Sequence, residues 1–254
     1  MQEPLDIEIA ANGVLRLTLN RPKRGNSFDS DLTDALATAL DRCAADETLR
    51  AVVLTGSGRV FSGGVDLSWM KAAGGASYEE NYRDALKLAK ILYRLHTLPV
   101  PTVAEVNGRV IGMGVGLVAA CDIAIAADTA AFRFSEVRFG ILPAVISPYA
   151  ISAMGMRACQ RYMLSAETFG APEALRLGLV HEVCTFDELP AAITRMTAEL
   201  LAGKPGALRA VKSLLEAQRS PKIDDALIAD TARRLTELRR TPEAQAALAE
   251  YLNH

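Results

Sequence analysis

The sequence predicts an α/β protein, with a core of alternating strands and helices followed by a wholly helical C-terminal region. Two observations predict it. Short apolar or alternating runs of strand character interleave with amphipathic stretches until about residue 184, and then strands stop. Beyond that point the apolar residues recur at helical spacing to the end of the chain. The chain has 254 residues, 50% of them hydrophobic, which is enough to bury a sizeable core.

The elements follow in order. "VLRLTLN" (14–20) alternates apolar and polar residues as a half-buried strand does. "RPKRGNSF" (21–28) is a loop by its Pro, Gly and Asn. Asp29, Ser30 and Asp31 then open a helix to about Asp46, with Leu32, Leu36 and Leu40 on one face. "AVVLTG" (51–56) is a short apolar run ended by glycine, which suits a buried strand. In "RVFSGGVDLSWM" the glycines break any regular period. Residues 79–97 read as a helix with Leu88, Leu92 and Leu95 on one stripe, stopped by "LPVP". Strands are expected at 102–106, 122–128 and 131–136, with a turn at Asn107-Gly108.

The last third is helical. "PEALRLGLV" carries Pro172 and Glu173 in a first turn and Gly178 at a helix end. Helices are expected at 188–202, 205–219 and about 224–252, the last with Leu227, Thr231, Leu235 and Leu238 in a stripe and a restart at Thr241-Pro242-Glu243. An organisational boundary is placed near 195, giving a core of 1–195 and a helical region of 196–254.

Composition narrows the function classes. There are 28 basic and 30 acidic residues, a net charge of −2, so no field suited to nucleic acid or a membrane surface is expected. Cys43, Cys121, Cys159 and Cys184 are widely spaced, with no C-x-x-C and only three histidines, so neither a zinc site nor a disulfide framework is expected. The first residues lack a basic stretch followed by an apolar one, and no apolar run is long enough to span a bilayer, which together suggest a soluble cytoplasmic protein. His96 at a helix end and His181 before a strand read as structural.

One stretch stands out. "RVIGMGVGLVAACD" (109–122) holds Gly112, Gly114 and Gly116 among apolar residues. A dinucleotide fingerprint needs its third glycine one residue later, where Leu117 stands, and no Gly-Lys-Ser/Thr follows as a P-loop requires. Glu136 in "FSEVRFG" is a second candidate. It sits after a strand among apolar neighbours, where partial burial raises a carboxyl pKa. The competing reading is a strand-end carboxylate paired with Arg133 or Arg138.

Five blocks taken together resemble the crotonase family, the enoyl-CoA hydratases and isomerases. They are "NRPKRGNSF" (20–28), "FSGGVDL" (61–67), "VNGRVIGMGVGLVAACDIAIAAD" (106–128), "FSEVRFGILP" (134–143) and "APEALRLGLVHEV" (171–183). Their order and spacing match over essentially the whole chain. The resemblance implies a spiral of repeated ββα units, C-terminal helices used for trimerisation, and a homotrimer or homohexamer. It implies an acyl-CoA thioester substrate and no metal or redox cofactor, coenzyme A being part of the substrate.

The same resemblance implies site roles. The backbone N–H groups of Val65 and Met113 would hold the thioester oxygen as an enolate forms, with Glu136 as catalytic acid or base. Gly63, Gly64, Asp66, Leu67, Gly112, Gly114 and Gly116 would line the substrate, and Lys23 and Arg24 would meet the coenzyme A phosphates. The two-glutamate hydratases carry a second glutamate where this chain has Gly116. With one carboxylate, hydration needs another way to position water, while a double-bond shift between carbons needs only one proton shuttle. "PAVISPYAISAMG" (143–155), with "GVDLSWM" and "YEENYRDAL", is similar to bacterial methylglutaconyl-CoA hydratase-like members, associated with leucine and acyclic-terpenoid breakdown. A second substrate carboxylate would want a cation, for which Lys71, Arg83 and Arg138 are candidates.

Overall fold

The computed structural model describes residues 3–217 and 223–252, and two stacked sheets organise it. The strands are β1 (Leu5–Ile9), β2 (Val14–Leu19), β3 (Ala51–Gly56), β4 (Val60–Ser62), β5 (Thr102–Val106), β6 (Arg109–Ile111), β7 (Ile123–Ala127), β8 (Ala131–Arg133), β9 (Phe169–Gly170) and β10 (Glu182–Cys184). The helices are α1 (Ser30–Ala45), α2 (Leu67–Gly75), α3 (Tyr78–His96), α4 (Met113–Ala120), α5 (Ser147–Ser165), α6 (Ala171–Arg176), α7 (Leu189–Ala202), α8 (Pro205–Ala217), α9 (Asp225–Arg239) and α10 (Pro242–Leu252).

The larger sheet has the order β1-β2-β3-β5-β7-β10 and the smaller one β4-β6-β8-β9. Three successive repeats give their first strand to the larger sheet (β3, β5, β7) and their second to the smaller (β4, β6, β8). All these pairings are parallel, so the chain advances one strand per turn of a spiral. The apolar content of β3 follows: all six of its residues are buried, as expected of a parallel strand covered on both faces. β2 instead alternates, with Leu15, Leu17 and Leu19 inward. Asn107 stitches two repeats together, its Nδ2 donating to the carbonyls of Gly56 and Gly58 at 2.6 and 2.8 Å.

Helix ends follow their chemistry. The Asp29 carboxylate accepts from the Leu32 N–H at the start of α1, and Ser77 and Glu80 form a reciprocal capping box on α3. At the C-terminus of α7, Arg50 Nη2 donates to the carbonyls of Leu201 and Gly203, satisfying groups the helix itself cannot.

The structure differs from the sequence reading in several places. The strand expected at 131–136 ends at Arg133, and residues Glu136–Phe139 form a 3₁₀ turn that Gly140 closes at φ +67°. The sequence reading gives β1 and α5 no element. α5 evades periodicity because Gly155 at φ +77° kinks it into two shorter helices. Residue 195 lies inside α7, whose Leu189, Ala192 and Ile193 pack on the larger sheet. The helical region therefore begins with a helix that belongs to the core. The last two residues of the helix expected at 205–219, and the side chain of Leu238, lie outside the described residues. α9 returns to pack along α3, and α10 packs against α2 and the 3₁₀ turn. All four cysteines are free thiols, Cys43 and Cys159 fully buried.

Candidate active site

The site is built where the loop 21–28 meets the turn after β4. Phe28 and Val65 form a lone parallel bridge. The Phe28 N–H donates to the Gly64 carbonyl and the Asp66 N–H to the Phe28 carbonyl, each at 2.8 Å. In extended backbone successive N–H groups point to opposite sides. With its neighbours bonded to the loop, the Val65 N–H faces away from it, and it finds no acceptor among the described residues. The Asp66 carboxylate is occupied locally, accepting from the Ser68 and Trp69 N–H groups at the start of α2.

The second turn is "IGMG". Met113 opens α4, so its N–H is one of the groups a helix leaves unpaired at its start, at the positive end of the dipole. Gly112 before it has φ +50° and ψ −115°, a conformation that suits glycine alone. Gly64 has φ +87°, and a Cβ there would stand 2.9 Å from the Ile111 carbonyl oxygen and 3.7 Å from the Met113 nitrogen. The two turns are thus in direct contact, and their glycines are what permits it. Val65 and Met113, whose N–H groups find no acceptor among the described residues, line one cleft.

Glu136 lies against the same spot. A Cβ on Gly112 would sit 3.0 Å from its Oε1. Its Oε2 is sealed from solvent and has no hydrogen-bond partner among the described residues. Burial pushes the carboxyl up to about 7, although the N–H groups of Glu136 itself and of Ser135 pull the other way. Neither arginine considered as its partner pairs with it. Arg133 Nε donates to the Ala166 carbonyl at 2.8 Å, and exposed Arg138 reaches toward the Ser165 carbonyl at 3.4 Å. A carboxyl pushed up to about 7 by burial and packed on the turn before Met113 is suited to proton transfer next to a carbonyl.

The position of the second acid is closed. Gly116 is buried, and a Cβ there would meet Ile146 Cγ2 at 2.5 Å and Leu92 Cδ1 at 3.2 Å. Ile146 fills the space that a side chain at 116 would need, so the single carboxylate is a packing feature as well as a sequence one.

The cleft encloses about 790 Å³. Of the residues expected in it, Arg24, Gly63, Gly64, Val65, Asp66, Leu67, Gly112, Met113 and Glu136 line it. Lys23, Gly114 and Gly116 do not. Lys23 is exposed on the loop, and a Cβ on Gly114 would press on Ser62 at 2.9 Å, so that glycine lets α4 pack on β4. Arg24 is exposed and lies 3.7 Å from both Asp29 and Asp66. Among the cations considered for a second carboxylate, Arg138 is at the cleft, while exposed Lys71 and Arg83 are not. The sequence reading misses the wall supplied by the C-terminal helices, Leu235, Arg239 and Leu252. A signal for it exists, since Arg239 follows Leu235 by four residues and so shares the buried stripe of α9.

Comparison with known proteins gives the family. Residues 9–254 match the family model described as enoyl-CoA hydratase/isomerase. A Thermus thermophilus protein that carries an enoyl-CoA hydratase name is 34% identical over 219 residues, 86% of this chain and 87% of that one. The crystal structure of an enoyl-CoA hydratase from Shewanella pealeana superposes with a TM-score of 0.83 at 35% identity, covering 98% of this chain and 93% of the other. A trans-2-decenoyl-[acyl-carrier-protein] isomerase from Streptococcus mutans is 30% identical over 206 residues, 80% of this chain and 78% of that protein.

Proposed function

This chain belongs to the enoyl-CoA hydratase/isomerase family, and from that premise we propose that it adds water across the α,β double bond of an enoyl-CoA thioester with Glu136 as its one acid-base group. The observation that carries the reading is the Glu136 carboxyl itself, buried, unpartnered at Oε2 and packed against the turn that presents the Met113 N–H.

The steps follow from the groups present. The thioester oxygen accepts from the Val65 and Met113 N–H groups, which drain electron density from the β carbon. Glu136, deprotonated, takes a proton from a water as its oxygen bonds to that carbon. The electron pair of the double bond moves to the thioester oxygen as an enolate. Protonated Glu136 then returns its proton to the α carbon, the enolate collapses, and the carboxylate is regenerated with one water added. No metal or redox cofactor enters this scheme. The acyl chain in this reading is branched or methylglutaconyl-like, in keeping with "PAVISPYAISAMG".

A second reading is a Δ3,Δ2-enoyl-CoA isomerase, favoured by the closed space at Gly116, because a single carboxylate suffices to move one proton between carbons. A third is an acyl-CoA-binding relative without turnover. Mass spectrometry of a thioester panel separates them. The proposal expects a 2-enoyl-CoA to gain the mass of one water. A 3-enoyl-CoA that shifts its double bond, while the 2-enoyl-CoA gains nothing, would replace it with the isomerase, and tight binding of every thioester without turnover with the binder.

A cytoplasmic homotrimer or homohexamer completes the reading. α8 leaves Val211, Leu214 and Leu215 49%, 58% and 62% exposed, an apolar face of the kind another copy covers. Among the described residues no helix is long and apolar enough to cross a membrane.

A further inference from the structure

Arg239, the last residue of α9, has a setting unlike that of the other arginines at the cleft. It is only 2% exposed, yet it lines the cleft, together with Leu235, Met70 and Leu88. Its guanidinium is barely used. Nη1 donates to Asn81 Oδ1 at 2.9 Å, and Nε is sealed from solvent with no acceptor among the described residues. Asn81 is itself fully buried. Having turned its oxygen to the arginine, it leaves its own Nδ2 without a partner. Burial lowers the Arg239 guanidinium to about 10; Asp84, one turn along α3, offsets part of that by its field but forms no ion pair with it.

The cluster therefore holds surplus donors, Arg239 Nε and Asn81 Nδ2, and its one amide acceptor is already used. A buried guanidinium held by one neutral amide is costly, and such a group is retained where something anionic completes it. Its planar fork matches a carboxylate, which takes two parallel N–H bonds. The donor turns and Arg239 line the same cleft, so a ligand whose thioester oxygen meets Val65 and Met113 can carry its acyl chain to Arg239.

We propose that Arg239 anchors a free carboxylate at the far end of the acyl chain, so that the preferred substrate is an unsaturated thioester that is also a carboxylic acid. This rests on the enoyl-CoA reading of the cleft. It moves the specificity role from Lys71, Arg83 and Arg138, two of which lie off the cleft and the third exposed at its rim, to a residue on the helical wall.

The test compares glutaconyl-CoA, a five-carbon 2-enoyl thioester ending in a carboxylate, with crotonyl-CoA, which ends in a methyl group. For the unaltered protein the expected ratio of kcat/KM favours the carboxylated thioester by about tenfold or more, the scale of a charge-assisted hydrogen bond. In Arg239→Met that ratio collapses toward one or inverts, through KM rather than kcat. Because the readout is a ratio within one preparation, partial loss of folded protein does not mimic it. If the variant does not fold, the ratio for the unaltered protein decides alone. Equal use of the two thioesters, or preference for crotonyl-CoA, would overturn the assignment and leave the hydratase reading standing. If neither thioester gains water the hydratase reading fails, and calorimetric binding of the same two compounds decides the anchor. Tighter binding of glutaconyl-CoA supports it and equal binding removes it.

Discussion

Two places invite comparison, the one that holds Glu136 at the cleft and the one at Gly116, where the sequence resemblance puts a second glutamate. At the first, a carboxyl is kept buried with an oxygen unpaired, an expensive arrangement that the fold tolerates. At the second, Ile146 and Leu92 close the space with ordinary apolar packing. One place keeps a buried carboxyl and the other is filled by apolar side chains, which leaves Glu136 as the one carboxyl of the proposed chemistry. Where a family shares a fold, the number of acids is decided by local packing rather than by the scaffold.

The comparison can be broken most severely at Glu136. Glu136→Gln keeps the shape and removes the proton transfer, so kcat for hydration should fall about 10³-fold with KM little changed, measured as loss of the enoyl double bond. Next come the turns. Gly64→Ala places a Cβ 2.9 Å from the Ile111 carbonyl at φ +87°, so the two donor turns must separate. A drop of about 10²-fold in kcat/KM is expected, the scale of losing one oxyanion donor.

The Gly116 side answers differently. Gly116→Glu should not add a catalytic acid. It should destabilise the protein by about 1–3 kcal/mol or more through overpacking, read from urea unfolding. Adding Ile146→Ala to it should recover part of that loss, since Ile146 supplies the nearest clash. At the small end, Lys23→Ala should change KM less than about threefold, in keeping with an exposed charge away from the cleft lining.

Stability gives an independent reading of the same asymmetry. The folded-state pKa of Glu136, about 7, lies above its ordinary value of 4.5. The folded protein therefore disfavours its charge, and the penalty is absent below about pH 4.5, grows between there and about 7, and is constant above. Glu136→Gln should accordingly unfold at a higher temperature than the unaltered protein at pH 8, with the gap closing toward pH 5.

Much of this site was legible in the sequence because its chemistry is written in backbone. Gly64 and Gly112 are glycines for conformational reasons, and a positive φ leaves a residue-level trace. Glu136 was legible as a carboxyl in an apolar neighbourhood, though the strand before it stops at Arg133 and a 3₁₀ turn carries it. The closure at Gly116 was not legible, because Ile146 lies thirty residues away and only the fold brings them together. Arg239 was lost in a run of charges, "ELRR", where one arginine is buried and the next exposed. The α5 kink at Gly155 likewise hid a helix that periodicity alone would have needed to be continuous.

In the proposed hydration one carboxyl, Glu136, does the acid-base work. The pH dependence of kcat/KM for a 2-enoyl-CoA tests it most directly. A rise through a single ionisation near pH 7 to a plateau is expected, as the base form of Glu136 accumulates, and its loss in the residual activity of Glu136→Gln. A profile that keeps the same ionisation in Glu136→Gln would contradict it.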